Sequence, residues 1–279
     1  MINTIKQKCL ITGADGMVGS YINFGIKTDK NTLDISDSGA VKDFFNKNRP
    51  EIVIHLAAET DVDLCQKNPT HGYKINTIGT YNLASAAKNH NTKMVYISTT
   101  AVFDVEKKEL YSEEDIPNPK NVYGRTKYLG EIIVKDIVPE YLIIRAGWMF
   151  GGGPEKDKKF VAKIIKQLSQ PEIKVTNDKM GSLTFAKDLV TGIETLLKEN
   201  KTGIYHLTNK GLGSRFDVAC EITKILKPSV KIIPVSSDYF SAEAPRGNEA
   251  ISSKIDIMRP WQDALKEYLL TEWNDKIIV

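Results

Sequence analysis

The stretch KCLITGADGMVGS, residues 8–20, decides the fold. A short apolar run, Cys9 to Thr12, opens directly into Gly13, Gly16 and Gly19 at three-residue spacing. An apolar strand followed by such a loop lets the backbone approach a pyrophosphate, whose charge is met by free N–H groups and the positive end of a following helix. The spacing therefore assigns Gly13, Asp15, Gly16, Met17, Val18 and Gly19 to a dinucleotide-binding turn.

Similar runs recur outward from it: EIVIHLAA at 51–58, KMVYIST at 93–99, EYLIIRAG at 140–147 and GIYHLTN at 203–209. Continuous apolar strands of this kind are buried on both faces, as parallel strands are. Between them the periodicity predicts helices over 16–24, 37–48, 71–89, 123–136, 159–168, 186–199 and 214–226. Strand and helix in repetition imply an α/β fold, a doubly wound parallel Rossmann sheet with right-handed crossovers. From Trp148 the rhythm breaks into Gly-, Pro- and Lys-rich loops and resumes near Ala186. The expected division is a dinucleotide-binding domain of 1–147 and 183–209, and a smaller substrate-binding lobe of 148–182 and 210–279 that closes over the carboxyl ends of the strands.

With 41% hydrophobic and 26% charged residues, the 279-residue chain has the profile of a globular protein with a sizeable core. A net charge of +3 without a long basic run argues against nucleic-acid binding. Cys9, Cys65 and Cys220 form no CxxC pair, which fits a reducing, cytoplasmic setting. No secretory leader is expected in Met1 to Gly13, and no window approaches the roughly 18 apolar residues of a membrane span. His55, His71, His90 and His206 lack metal-ligand spacing, so no metal is expected.

Asp29 is the candidate acid for the cofactor ribose, yet Lys27 and Lys30 flank it and suit a 2′-phosphate equally, leaving NADPH or NADH open. In TLDISD (32–37), Asp34 and Ile35 can meet the adenine, or Asp34 and Asp37 can cap the next helix. Ala57, Ala58 and Thr60 of LAAET (56–60) leave room beside a bound dinucleotide. STTAVF (98–103) delivers Ser98, Thr99 and Thr100 to the carboxyl edge of the sheet. In NVYGRTKYLGE (121–131), Tyr123 and Lys127 stand four apart and share one helix face, a layout suited to proton transfer.

In order and spacing, ITGADGMVG, LDISD, PEIVIHLAAETDVD, INTIGTYNL, ISTTAVFD, NVYGRTKYLGE, RAGWMFG, NDKMGSLT, GIYHLTNKG and PWQDALKEYL span nearly the whole chain. Through them it resembles the extended short-chain dehydrogenase/reductases, and within these the rhamnose-pathway reductases. The resemblance implies that Thr99, Tyr123 and Lys127 form a catalytic triad, that Asn76 stands near the nicotinamide end, and that Trp148 walls the sugar pocket. It implies NADPH- or NADH-dependent reduction of the C4 ketone of a nucleotide-linked deoxysugar, with dTDP-4-dehydro-L-rhamnose as first choice. Tyr123 would donate the proton, its phenol lowered from about 10 by the Lys127 ammonium and the cofactor's charge. No Asp-Glu pair follows Thr99, which excludes the dehydratases of the family.

The departures cluster on the substrate side. Thr100 and Ala101 replace an acid and an aromatic, Lys159 replaces an Asn before Phe160, and Ala244 replaces an Arg. Thr99, Thr100, Trp148, Lys159, Arg246 and Asn248 are thus the candidate substrate contacts, with Glu249 beside them. The alternatives are an epimerase that retains NAD, and a cofactor-binding regulatory subunit of the methionine adenosyltransferase type. Homodimerisation through helices 71–89 and 123–136 is a further implication of the resemblance.

Overall fold

A computed structural model describes residues 8–104, 106, 107 and 109–274; residues 1–7 and 275–279, at the ends of the two expected divisions, lie outside the described residues. In chain order the elements are β1 (Cys9–Thr12), β2 (Ile26–Thr28), α1 (Ser38–Asn48), β3 (Ile52–His55), α2 (Val62–Lys67), α3 (Pro69–Tyr73), α4 (Gly79–Asn89), β4 (Lys93–Thr99), α5 (Val122–Ile137), β5 (Tyr141–Ala146) and β6 (Trp148–Phe150). There follow α6 (Gly153–Lys156), α7 (Phe160–Ile165), β7 (Glu172–Thr176), β8 (Met180–Phe185), α8 (Ala186–Lys198), β9 (Gly203–His206), β10 (Leu212–Ser214), α9 (Arg215–Leu226), β11 (Lys231–Val235) and α10 (Trp261–Glu272).

The main sheet has the order β2-β1-β3-β4-β5-β9, and every pairing in it is parallel. β1, β3, β4 and β5 are buried almost throughout, which is why they read as unbroken apolar runs. The chain leaves β1 in one direction to β2 and returns on its other side as β3, so the crevice of a doubly wound sheet opens between the ends of β1 and β3. Helix α8 shows how the faces are covered. Ala186, Leu189, Val190, Ile193 and Leu196 fall at helical spacing and are all buried against this sheet, each large aliphatic side chain worth about 1.5–3 kcal/mol.

Two small sheets, β10-β8-β6 and β11-β7, hold the strands that follow Ala146, apart from β9. Their core joins Phe150, Phe185, Trp261 and Tyr268. The boundary expected between residues 182 and 183 falls inside β8, which pairs with β6 and β10 over its length; the return to the large sheet begins with α8.

The helix expected over 16–24 is a single 3-10 turn, Gly19–Tyr21. Gly25, at φ +78°, ends the connection and β2 starts at the next residue, so no length is left for a full helix. Tyr21 is also drawn away, donating to Glu272 Oε1 at 2.6 Å and accepting from Gly152 N at 2.6 Å. The helix expected over 71–89 is α3 and α4 joined by a π-helical turn at Lys74–Ile78. The helix expected over 159–168 is the shorter α7. No helix among the described residues is long and apolar enough to cross a membrane.

Candidate active site

The glycine loop lies in the crevice between β1 and β3. Gly13 has φ +66°, and a Cβ there would come within 2.7 Å of Ala57 N and Cα. A Cβ on Gly19 would fall 2.4 Å from Ala14 O, whereas one on Gly16 would meet only Gly13 O. The loop is thus closed inward and open at Asp15 and Gly16, which are exposed. Among the described residues no acceptor faces the backbone N–H of Asp15, Met17 or Val18. A concave turn of unmet N–H groups is the donor set a pyrophosphate needs, so this loop fits a dinucleotide even with its helix reduced to one turn.

A buried polar strut holds the crevice open. His55 at the end of β3 bonds Thr12 Oγ1 at 2.9 Å through Nδ1 and Thr80 Oγ1 at 3.1 Å through Nε2. Burial drives its pKa down to about 3, so the ring is neutral and structural. Ala57 and Ala58 sit half-buried on the chain beyond it.

At the far end of the crevice, Asp29 follows β2 and accepts through Oδ1 from Asn31 N, Thr32 N and Thr32 Oγ1; these bonds hold its pKa below the usual carboxylate range. Asp37 caps α1 by accepting from Gly39 and Ala40, while Asp34 accepts from Ser36 N and Oγ. Ile35 is buried, packed where a Cβ on Gly79 would collide with it. The cap therefore belongs to Asp37 and a local turn to Asp34. These three candidates sit on the β2 side, away from the triad.

Thr99 ends β4, and α5 begins after the Asn121 cap accepts from Gly124 N at 2.8 Å. That cap sets the first turn so that the Tyr123 phenol stands close enough to Thr99 for the hydroxyl to act on its ionisation. Burial raises the Tyr123 phenol well above its ordinary value; the neighbouring Thr99 hydroxyl opposes the rise and the Glu249 carboxylate adds to it. One turn on, Lys127 is buried with its Nζ 4.2 Å from the centre of the Tyr96 ring. Desolvation pulls its ammonium down to about 7, with Glu131 opposing. Lys127 is not among the leading influences on Tyr123; burial dominates and keeps the phenol protonated.

Asn76 lies in the π-helical turn and is fully buried. Its Oδ1 accepts from Glu59 N at 2.8 Å, and its Nδ2 donates to Glu59 O and to Thr126 Oγ1, each at 3.0 Å. The amide is fully used in tying the chain after β3 to the first turns of α5.

On the substrate side, Thr100 Oγ1 donates to Glu249 Oε2 at 2.7 Å. Lys159 Nζ donates to Thr60 O and Oγ1 at 3.1 Å, joining a cofactor-side candidate to a substrate-side one. Arg246 pairs with Asp63 of α2 at 2.7 Å. Asn248 is exposed and spends its Oδ1 on Met180 N, fastening β8. Trp148 packs against Gly181, and its indole Nε1 is buried without a partner among the described residues.

Glu249, expected beside the substrate contacts, and Arg215, outside the expected set, also stand in this cleft. Glu249 links Thr100 and acts electrostatically on both Tyr123 and Arg215. Arg215 has its guanidinium carbon 4.6 Å from the Trp148 ring centre and 4.9 Å from that of Phe160. A signal for Arg215 was present in GLGSRFDVAC, since a cation in the first turn opposes the positive end of a helix.

A family model described as RmlD substrate binding domain matches residues 7–273. The chain is 32% identical to the Bacillus subtilis spore coat polysaccharide biosynthesis protein SpsK, covering 94% of this chain and 96% of that one. Among solved structures it is similar to a dTDP-4-dehydrorhamnose reductase from Clostridium acetobutylicum, at 38% identity and TM-score 0.90, with 94% and 98% of the two chains covered. A dTDP-4-dehydrorhamnose reductase from Bacillus anthracis, solved in complex with NADP, gives 33% identity and TM-score 0.90 over 95% and 99% of the two chains. The parallel sheet, the glycine turn and the strand-end hydroxyl facing a helical tyrosine thus occur in a chain that belongs to the RmlD substrate binding domain family.

Proposed function

We propose that the protein reduces the C4 ketone of a nucleotide-linked deoxysugar, dTDP-4-dehydro-L-rhamnose or a close analogue, using NADPH or NADH. The observation that carries this is the meeting of Thr99 and Tyr123 at the strand edge, one helical turn from Lys127, in a family whose named relatives are such reductases. The reduced nicotinamide, when bound, supplies the hydride.

The chain's own residues supply the rest. Tyr123 holds its proton because burial raises the phenol, and gives it to the C4 oxygen as negative charge develops there. Thr99 hydrogen-bonds the same oxygen and fixes the carbonyl against the phenol. Lys127 in its charged form would hold the nicotinamide ribose and favours the tyrosinate left behind. The glycine loop would hold the pyrophosphate, with Asp29, Asp34 and Ile35 toward the adenosine end, and Asn76 keeps the β3 loop and α5 in register. The division into a cofactor domain and a substrate lobe belongs to this reading, with the second boundary moved from 182/183 to the end of β8 so that the lobe runs over 148–185 and 210–279, and with Trp148, Lys159, Arg246 and Asn248 on the substrate side. Net consumption of reduced cofactor in step with sugar tests it: an epimerase would consume none, and a regulatory subunit would bind without turnover.

The Lys127 assignment carries a pH dependence. Its ammonium, lowered to about 7, is present below that value and lost above it. Cofactor affinity of the free enzyme should fall as pH rises through 7. Lys127→Met should bind cofactor at least about tenfold more weakly at acidic pH, the loss of one charged hydrogen bond, and show no such fall. Titration calorimetry at several pH values measures both; a variant with wild-type affinity would remove the role.

The chain is also proposed to act in the cytoplasm and as a homodimer. Ile78, Tyr81, Leu129 and Ile132, each 38–49% exposed, lie on or beside the neighbouring helices α4 and α5, an apolar face such as a helix-pair interface covers. Ile132→Glu should give a monomer by light scattering, and an unchanged dimer would move the interface elsewhere.

A further inference from the structure

We propose that Arg215 is the residue that receives the diphosphate of the nucleotide sugar. This rests on the reaction proposed above and adds a binding residue that neither the motifs nor the family description assigns.

Three cations stand on the substrate side of the cleft. Arg246 is paired with Asp63, and Lys159 is bound to Thr60. Arg215 has no hydrogen bond or ion pair among the described residues, although it is only partly exposed. Its guanidinium is instead covered by the Trp148 and Phe160 rings, at 4.6 and 4.9 Å. Stacking of this kind restrains a guanidinium while leaving its N–H edge free, and that edge is a planar fork that matches phosphate oxygens in pairs. Burial disfavours its charge and Glu249 supports it, so a cation is kept partly desolvated in the cleft without a direct partner. Such a group is costly unless an anion completes it.

The position is also suitable. Glu249, bonded to Thr100 next to the triad's Thr99, lies near enough to act electrostatically on both Tyr123 and Arg215, which places the phenol and the guanidinium in the neighbourhood of one carboxylate. A sugar with its C4 oxygen at Tyr123 and its ring along Trp148 directs its anomeric phosphate toward Arg215. Arg215 also begins α9, where a cation opposes the helix dipole, a cost that a ligand-binding role explains.

The test is titration of the whole protein with dTDP, with UDP as a second probe, for wild type, Arg215→Gln and Arg215→Lys, alongside NADPH titration and thermal melting. The expected result for Arg215→Gln is dTDP affinity about 10-fold to 100-fold weaker, with NADPH affinity and melting temperature unchanged and KM for the sugar raised in proportion while kcat holds. Arg215→Lys should recover only part of the loss, because it restores charge without the fork. Unchanged dTDP affinity in Arg215→Gln would overturn the proposal, as would parallel loss of dTDP affinity, NADPH affinity and melting temperature, which would make the residue a packing element. Wild-type protein that binds neither dTDP nor UDP would overturn the nucleotide-sugar reading itself, and this proposal with it.

Discussion

Tyr123→Phe should turn over at least about 100-fold more slowly than the parent while binding NADPH equally well. The substitution removes one oxygen and leaves the ring packed in the first turn of α5. General acid catalysis by a positioned group contributes roughly 10²–10⁴-fold, and no other hydroxyl in the cleft can replace the phenol without losing its own place. Thr99 is buried at the strand end and bonded to the Ala101 amide; Thr100 is committed to Glu249. Single-turnover rates and cofactor titration separate the effects. A variant that kept most of its rate would assign the proton to another donor.

The second large effect concerns stability. Behind the triad, Arg145 of β5 and Glu131 of α5 form an ion pair in which both side chains are nearly excluded from solvent. Arg145 donates through Nε and Nη2, at 3.0 and 2.7 Å, and Ser98 donates to Glu131 Oε1 at 2.5 Å. The network joins β4, α5 and β5, the elements that carry Thr99, Tyr123 and Lys127. Arg145→Met should cost about 3–5 kcal/mol, because Glu131 is left buried with an uncompensated charge. Combining it with Glu131→Leu should recover much of that loss, since the pair itself has little net worth against apolar side chains of similar volume. Urea unfolding measures both, and a single variant that lost less than about 1 kcal/mol would show that water reaches the carboxylate.

The large sheet was legible because its strands are buried on both faces and so carry unbroken apolar runs: 9–12, 52–55, 93–99, 141–146 and 203–206 fall within the stretches read from the chain. α1, α5, α8 and α9 were legible through their caps and periodicity, with Asp37, Asn121 and Ser214 each accepting from the first turn. The small sheets were not. β6 and β10 are three residues long and set by pairing with β8, so no local pattern announces them. The shortened first helix follows from a tertiary pull on Tyr21 and the early turn at Gly25, and the π-helical turn at 74–78 from the bonds that Asn76 makes across the fold.

The same contrast holds at the site. Thr99, Tyr123 and Lys127 sit at ends of regular elements, where position in sequence fixes position in space. Glu249 and Arg215 arrive from segments 126 and 92 residues beyond Tyr123 by numbering, brought in by pairing with β8 and by packing on Trp148. The pKa pattern was legible least of all. A tyrosine and lysine four apart imply mutual stabilisation, yet burial dominates each one separately and drives the phenol up and the ammonium down.

The most direct measurement of the central claim is the fate of the transferred hydrogen. The enzyme is given NADPH deuterated at the transferable position together with dTDP-4-dehydro-L-rhamnose made in situ, and the product sugar is read by NMR. The account predicts one deuterium at C4 of the product for each cofactor consumed. Loss of substrate without deuterium at C4, or return of the sugar with no cofactor consumed, would contradict it.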